Sequence, residues 1–262
     1  LGAETSIVVV SKVLVKWFKG KDLALAFGLK VGFGRLGTFL ALRLSPVLAE
    51  DKINIAIWFA AILVMIGLLV FCIYMLMDLA YDKQQKASQE VKETAKNDEG
   101  FRISDIVTLL TNRSYIFIAL LCVTFYSAVF PFLAFAPDFF ANKFGLSAVE
   151  SGEIASYLPL ATLIFTPIFG FLIDRYGRSA TAMIFGSLVL LAVHSIFAFT
   201  HISPVVPMLM LGLAFSLVPA AMWPSTVRLV EEKQIGTAYG LMYSIQNLGL
   251  WAFPLLAGYI LD

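Results

Sequence analysis

Charge is scarce in this chain, and so are the residues from which metal sites and disulfide frameworks are built. Only 14% of the 262 residues are Asp, Glu, Lys or Arg, while 60% are hydrophobic. With a mean hydropathy of +0.86, that balance excludes an ordinary soluble domain and defines a polytopic helical membrane protein. Just two cysteines occur, Cys72 and Cys122, each inside an apolar run. They show no ladder of spacings that would indicate disulfides or zinc, so both are predicted to be buried free thiols. The chain also lacks a dense His, Cys, Asp and Glu cluster, a glycine-rich phosphate loop and a Ser-His-Asp arrangement. On that basis neither an enzyme nor a bound cofactor or metal is expected. A net charge of only +1 gives no reason to expect a nucleic-acid partner. The sequence does not begin with Met and shows no visible signal peptide, and it starts inside a hydrophobic stretch and stops just after another. It reads as a piece of a longer protein with most targeting information missing.

What the chain has instead is a series of apolar runs of membrane-spanning length. Eight are expected, over 1–18, 23–48, 53–79, 114–141, 151–174, 179–201, 204–230 and 235–261. One long polar stretch, 82–112, separates the third from the fourth and reads as a solvated, partly helical connector. If Lys12, Lys16, Lys19 and Lys21 mark the cytoplasmic side, alternation brings the connector, Arg175 with Arg178, and Arg228 with Lys233 to that side too. Arg43, Lys52 and Lys143 are left on or near the other, as the positive-inside rule expects. Three spans before the connector and five after it fit spans four to eleven of a twelve-span transporter. The domains expected are 1–81 (the end of the first six-helix half), a cytoplasmic connector over 82–113, and 114–262 (the second half without its last span).

Charges within lipid are costly and usually face a cavity or a partner. Glu4 lies about 21 Å from the first cytoplasmic turn and Arg35 about 20 Å, at ~1.5 Å per residue. Carried by antiparallel helices, they reach a similar depth near the membrane centre. A carboxylate and a guanidinium at one level suit a zwitterion, Glu4 receiving an ammonium and Arg35 gripping a carboxylate through its planar fork. Two other readings stay open: an ion pair that locks the two helices, or a proton-carrying Glu4. Lys30 stands about 140° around the helix from Arg35 and is expected to snorkel toward the cytoplasmic interface. Arg43 is expected to anchor at the opposite headgroups, and the Gly28/Gly32 pair to allow close helix packing. Asp174, Arg175 and Arg178, in the reversal over 170–178, are candidate gating residues able to pair with helix ends when that side closes. The alternative there is a short loop with positive residues left in the cytoplasm.

Several stretches carry a resemblance: Gly2-Ala3-Glu4, Trp17-Phe18-Lys19-Gly20-Lys21, Ala26-Phe27-Gly28-Leu29, Ala128-Val129-Phe130-Pro131-Phe132, and above all 236–250, from Gly236-Thr237-Ala238-Tyr239-Gly240 to Gln246-Asn247-Leu248-Gly249-Leu250. The chain resembles the major facilitator superfamily over essentially its whole length. Within that superfamily it is similar to the domain-containing protein 1 subgroup of lysosomal dipeptide transporters. Lys30 and Arg43 depart from the subgroup, which has uncharged residues there. The resemblance implies that spans seven, eight, ten and eleven border a central cavity. Tyr126, Tyr157, Trp223, Tyr243, Gln246 and Asn247 would then be its candidate wall, aromatic area giving affinity and amides orienting the solute. For any single aromatic, ordinary packing is an equal reading. The superfamily places span nine at the periphery, so His194 there is expected to bridge helices rather than relay protons. Pro131, Pro159, Pro167, Pro219 and Pro224 are expected to kink their helices.

The expected function is secondary transport by alternating access of dipeptides or similar small zwitterions, either down-gradient without an ion or coupled to protons through Glu4. The partners implied are the solute, the bilayer and, from animal relatives, a single-span glycoprotein subunit in the lysosomal membrane; otherwise the site would be the plasma membrane. The rival readings are a carrier of sugars, organic anions or drugs, a seven-span receptor, and a non-transporting nutrient receptor on the same fold.

Overall fold

A computed structural model of the chain describes residues 6–7, 9–10, 13–14, 17–18, 23–49, 53–88, 103–231 and 234–261. Its regular elements are helices: α1 (Leu23–Ala49), α2 (Ile53–Ser88), α3 (Ile103–Thr111), α4 (Arg113–Phe144), α5 (Ala148–Tyr176), α6 (Ser179–Phe199), α7 (Val205–Arg228) and α8 (Ile235–Leu261). An all-helical chain follows from the composition, because backbone polar groups in hydrocarbon must be satisfied within the segment that carries them.

Among the described residues five helices are long and apolar enough to cross a membrane: Ile53–Ala80, Arg113–Phe144, Ala148–Tyr176, Ser179–Phe199 and Val205–Arg228. The runs expected at 23–48 and 235–261 are helical as well, each a 27-residue helix. The run expected at 1–18 lies largely outside the described residues, and the positions described there are helical. Both ends of the connector also form helix, since α2 continues to Ser88 and α3 precedes α4.

The chain falls into two compact units, residues 44–100 and residues 1–43 with 101–262. The first is dominated by α2, whose apolar side chains are open all around, Trp58 at 70% and Val64 at 72% exposure. Cys72 is among them, so the expectation that both thiols are buried holds for Cys122 alone. A helix apolar on every face needs no protein cover when lipid surrounds it, and the sequence run could not reveal which side chains were covered.

In the second unit α7 is the most enclosed helix, with 67% of its apolar window buried. Where the surroundings are as apolar as the core, close backbone approach and packing replace the hydrophobic drive. Gly212 of α7 shows this directly: a Cβ there would stand 2.5 Å from Ala161 Cβ and 2.8 Å from the Leu158 carbonyl oxygen of α5. Gly186 presses on Val218, and Gly249 on Val123 and Ser127, in the same manner. Gly32, one of the glycines the sequence singled out, is buried but would meet only Leu163, at 3.5 Å.

Helix ends are set by local chemistry. Asn112 caps α4, its Oδ1 accepting from the Ser114 and Tyr115 amides. Ser147 and Glu150 form a reciprocal capping box at α5. Gly145 and Gly177, with φ of 68° and 67°, supply the left-handed residues that end α4 and α5. All five prolines expected to interrupt helices lie inside α4, α5 and α7, and none of those helices is broken.

The closeness of α5 and α7 is testable. Gly212→Val is expected to destabilise the folded protein by ~1–3 kcal/mol, because the colliding atoms include backbone that cannot rotate away. Gly32→Ala, which meets ordinary contact distances, is expected to leave the thermal unfolding midpoint nearly unchanged.

Candidate functional site

Arg35 projects from α1 toward the rings of α4 and α7. Its guanidinium carbon lies 4.4 Å from the Phe215 ring centre and 5.5 Å from that of Phe130. A cation withdrawn from water is stabilised over a ring face, and guanidinium, being planar and weakly hydrated, stacks better than ammonium. Among the described residues no carboxylate pairs with it.

The rings beneath Arg35 belong to a continuous aromatic wall. Tyr126 and Phe130, one turn apart on α4, stack at 5.6 Å and 11°, and Phe215 meets each of them edge-on at 5.6 Å. The hydroxyl of Tyr126 accepts a 3.0 Å hydrogen bond from Trp223 Nε1. Trp223 stacks on Tyr243 of α8 at 4.6 Å, and Tyr239 Oη donates to the Trp223 carbonyl at 3.1 Å. Edge and face contacts of this kind fix ring orientation as well as burying area.

The structure therefore unites four residues picked from sequence, Arg35, Tyr126, Trp223 and Tyr243. Gln246 joins at one remove: it is buried on α8 and its Oε1 accepts from the Cys122 thiol at 3.6 Å, one helical turn from Tyr126. Asn247, on the neighbouring face of α8, is half-buried. Tyr157 of α5 is half-buried against the core to which Tyr126 belongs, without a ring contact to the wall. Glu4 lies outside the described residues. Asp174, Arg175 and Arg178 are exposed at the α5–α6 reversal, with the Arg175 guanidinium 5.8 Å from the Tyr176 ring centre.

Phe130, Phe215 and Tyr239 were not singled out as site residues. The usable signal was chemical: a guanidinium in hydrocarbon needs a π face, and Phe130 follows Tyr126 by one turn. Phe215 lacked even that cue, since nothing in sequence links α7 to α1.

Two expectations for the charges of α1 need correction. Lys30 does not snorkel; its ammonium donates to the Ile7 carbonyl at 3.1 Å, an acceptor close enough to outcompete a longer reach to water. Arg43 is no headgroup anchor, because its Nη2 pairs with Glu153 Oε1 of α5 at 2.9 Å. Both partners remain over 40% exposed, so this tie is weak by the standards of exposed pairs. His194 behaves as expected, Nε2 lying 3.2 Å from the Ala128 carbonyl of α4 and Nδ1 3.0 Å from that of Leu190.

The described helices combine membrane-crossing length with an arginine stacked on an aromatic wall. The chain belongs to the Major Facilitator Superfamily, whose family model matches residues 1–261. It is 36% identical over 270 residues to the lysosomal dipeptide transporters MFSD1 of Bos taurus and Homo sapiens, and 33% identical over 269 residues to that of Danio rerio. All of this chain is covered in each case, against 57%, 57% and 58% of the relatives, so the chain spans a little over half of their length.

Two measurements probe the geometry. Tyr126→Phe leaves the Trp223 N–H without its acceptor and is expected to cost ~1–3 kcal/mol of stability in thermal or denaturant unfolding. A double-mutant cycle on Arg43 and Glu153 is expected to return a coupling of only ~0.2–1 kcal/mol, reduced further by salt.

Proposed function

We propose that the protein containing this chain carries dipeptides or similar small zwitterions across a membrane by alternating access, with Arg35 as the carboxylate clamp. The observation that carries this reading is the placement of Arg35: a guanidinium stacked on Phe215 and Phe130, with no carboxylate partner among the described residues. Its remaining N–H groups then suit a planar, bidentate anion, and a peptide C-terminus is one. Glu4, brought to the same depth by the sequence register, is the proposed receiver of the ammonium. Tyr126, Trp223, Tyr243, Gln246, Asn247 and Tyr157 would form a wall that accepts variable side chains by area rather than by shape.

The similarity to lysosomal dipeptide transporters supports the same cargo and a lysosomal membrane. A proton route through Glu4 and an accessory single-span glycoprotein belong to this proposal at the next level of detail. So do the division into two six-helix halves joined over 82–113, and gating by Asp174, Arg175 and Arg178.

Uptake of a radiolabelled dipeptide into proteoliposomes holding the whole protein tests the clamp. Arg35→Ala is expected to weaken apparent affinity about tenfold or more, the scale of a lost charged hydrogen bond. Arg35→Lys is expected to recover only part of it, since an ammonium lacks the fork. Unchanged affinity in both variants would remove Arg35 from substrate recognition.

A further inference from the structure

Beyond the Trp223 end of the aromatic wall, a cavity of about 440 Å³ opens where the starts of α4 and α6 meet the end of α7. Its polar lining comes from Ser114, Ser179, Ser225 and Arg228, and its apolar flank from Phe117 and Met183. Three features of this cavity suit an anion.

The first is a set of donors. The earliest backbone bond of α6 runs from Ala182 N–H to the Arg178 carbonyl at 3.1 Å, and no side chain caps the amides before it. Ser179 and Ala180, which carry two of those amides, border the cavity. Free amides at a helix start form an anion seat. At α4 the corresponding amides are already taken, since Asn112 Oδ1 accepts from Ser114 and Tyr115. The second feature is Ser179 itself, which is only 8% exposed and whose hydroxyl has no hydrogen-bond partner. A buried hydroxyl left unpaired is costly, and Ser179 is among the residues that line the cavity. The third is charge: Arg228 lines the cavity, and Arg178 stands at the N-cap of α6, where a cation opposes the helix dipole unless an anion lies between.

We propose that this cavity holds the phosphodiester of an anionic membrane phospholipid, bound by Arg228, the Ser179 hydroxyl and the first amides of α6. A lipid fits better than a free phosphate because the cavity is bordered on one side by Phe117, itself 70% exposed on the outer face of α4. The glycerol and upper acyl carbons lie along that ring while the phosphate sits at the helix start. The turn concerned lies on the side where the positive-inside count places the basic residues, the membrane face at which anionic headgroups are recognised by basic pockets between helices.

The test uses the whole protein, purified in detergent and followed by native mass spectrometry and thermal unfolding. The probes are phosphatidylglycerol, phosphatidylcholine and inorganic phosphate. Wild-type protein is expected to retain phosphatidylglycerol at least several-fold more strongly than phosphatidylcholine, with millimolar inorganic phosphate displacing little of it. Arg228→Gln is expected to weaken retention about fivefold or more. Ala180→Asp, an exposed change that suits the helix dipole, is expected to abolish the preference while leaving lipid-free unfolding at the wild-type temperature or above. Equal retention of the two lipids, or retention unchanged in both variants, overturns the site. Full displacement by inorganic phosphate, with the same sensitivity to the variants, overturns its assignment to a lipid.

Discussion

The second unit is organised around one problem, a charged guanidinium held against the aromatic side chains of an apolar bundle. Arg35 does not titrate away, so its charge must be met by groups that are themselves stable in lipid. Phe215 and Phe130 meet it with ring faces, and those rings are held in turn by Tyr126. From Tyr126 the constraint passes to Trp223 through a hydrogen bond and on to Tyr243 by stacking. Residues from α1, α4, α7 and α8 are thereby tied to a single charge, and moving any of those helices changes how that charge is solvated. For the proposed carrier such a linkage matters, because a solute that bound the charge would alter the balance between conformations only if the two states treat the charge differently.

Packing around this arrangement depends on small residues rather than large ones. Gly212 lets α5 and α7 touch at backbone distance, and Gly186 and Gly249 do the same for α6 and α8. At the opposite extreme, the Arg43–Glu153 tie is exposed and weak, suited to breaking and re-forming. Close glycine contacts thus hold α5, α6 and α7 together, while α1 is tied to α5 by an exposed ion pair.

Much of this was legible in the sequence for a physical reason. Lipid leaves a chain few options, so run length dictated helices at 23–48, 114–141, 151–174, 179–201, 204–230 and 235–261, and the cost of burying charge picked out Arg35. Aromatic candidates on α4, α7 and α8 came from the family resemblance, and Tyr126, Trp223 and Tyr243 do meet. What escaped were the choices made by tertiary neighbours. Lys30 and Arg43 found acceptors, Ile7 and Glu153, that no periodicity could announce. Gly212 reads as one glycine among 18 until α5 is placed against it. Phe215 is one phenylalanine among 23 until Arg35 lies over its ring. The exposure of Cys72 was equally hidden, since an apolar run looks the same whether protein or lipid surrounds it.

The central claim is that Arg35 reads a carboxylate, and the wild-type protein can answer it without mutation. Thermal unfolding of the intact, purified protein should be followed with a dipeptide, its C-terminal amide and its N-acetyl derivative, all of one sequence. A clamp at Arg35 predicts stabilisation by the free dipeptide that is largely lost in the C-terminal amide. Equal stabilisation by the dipeptide and its amide would contradict the account.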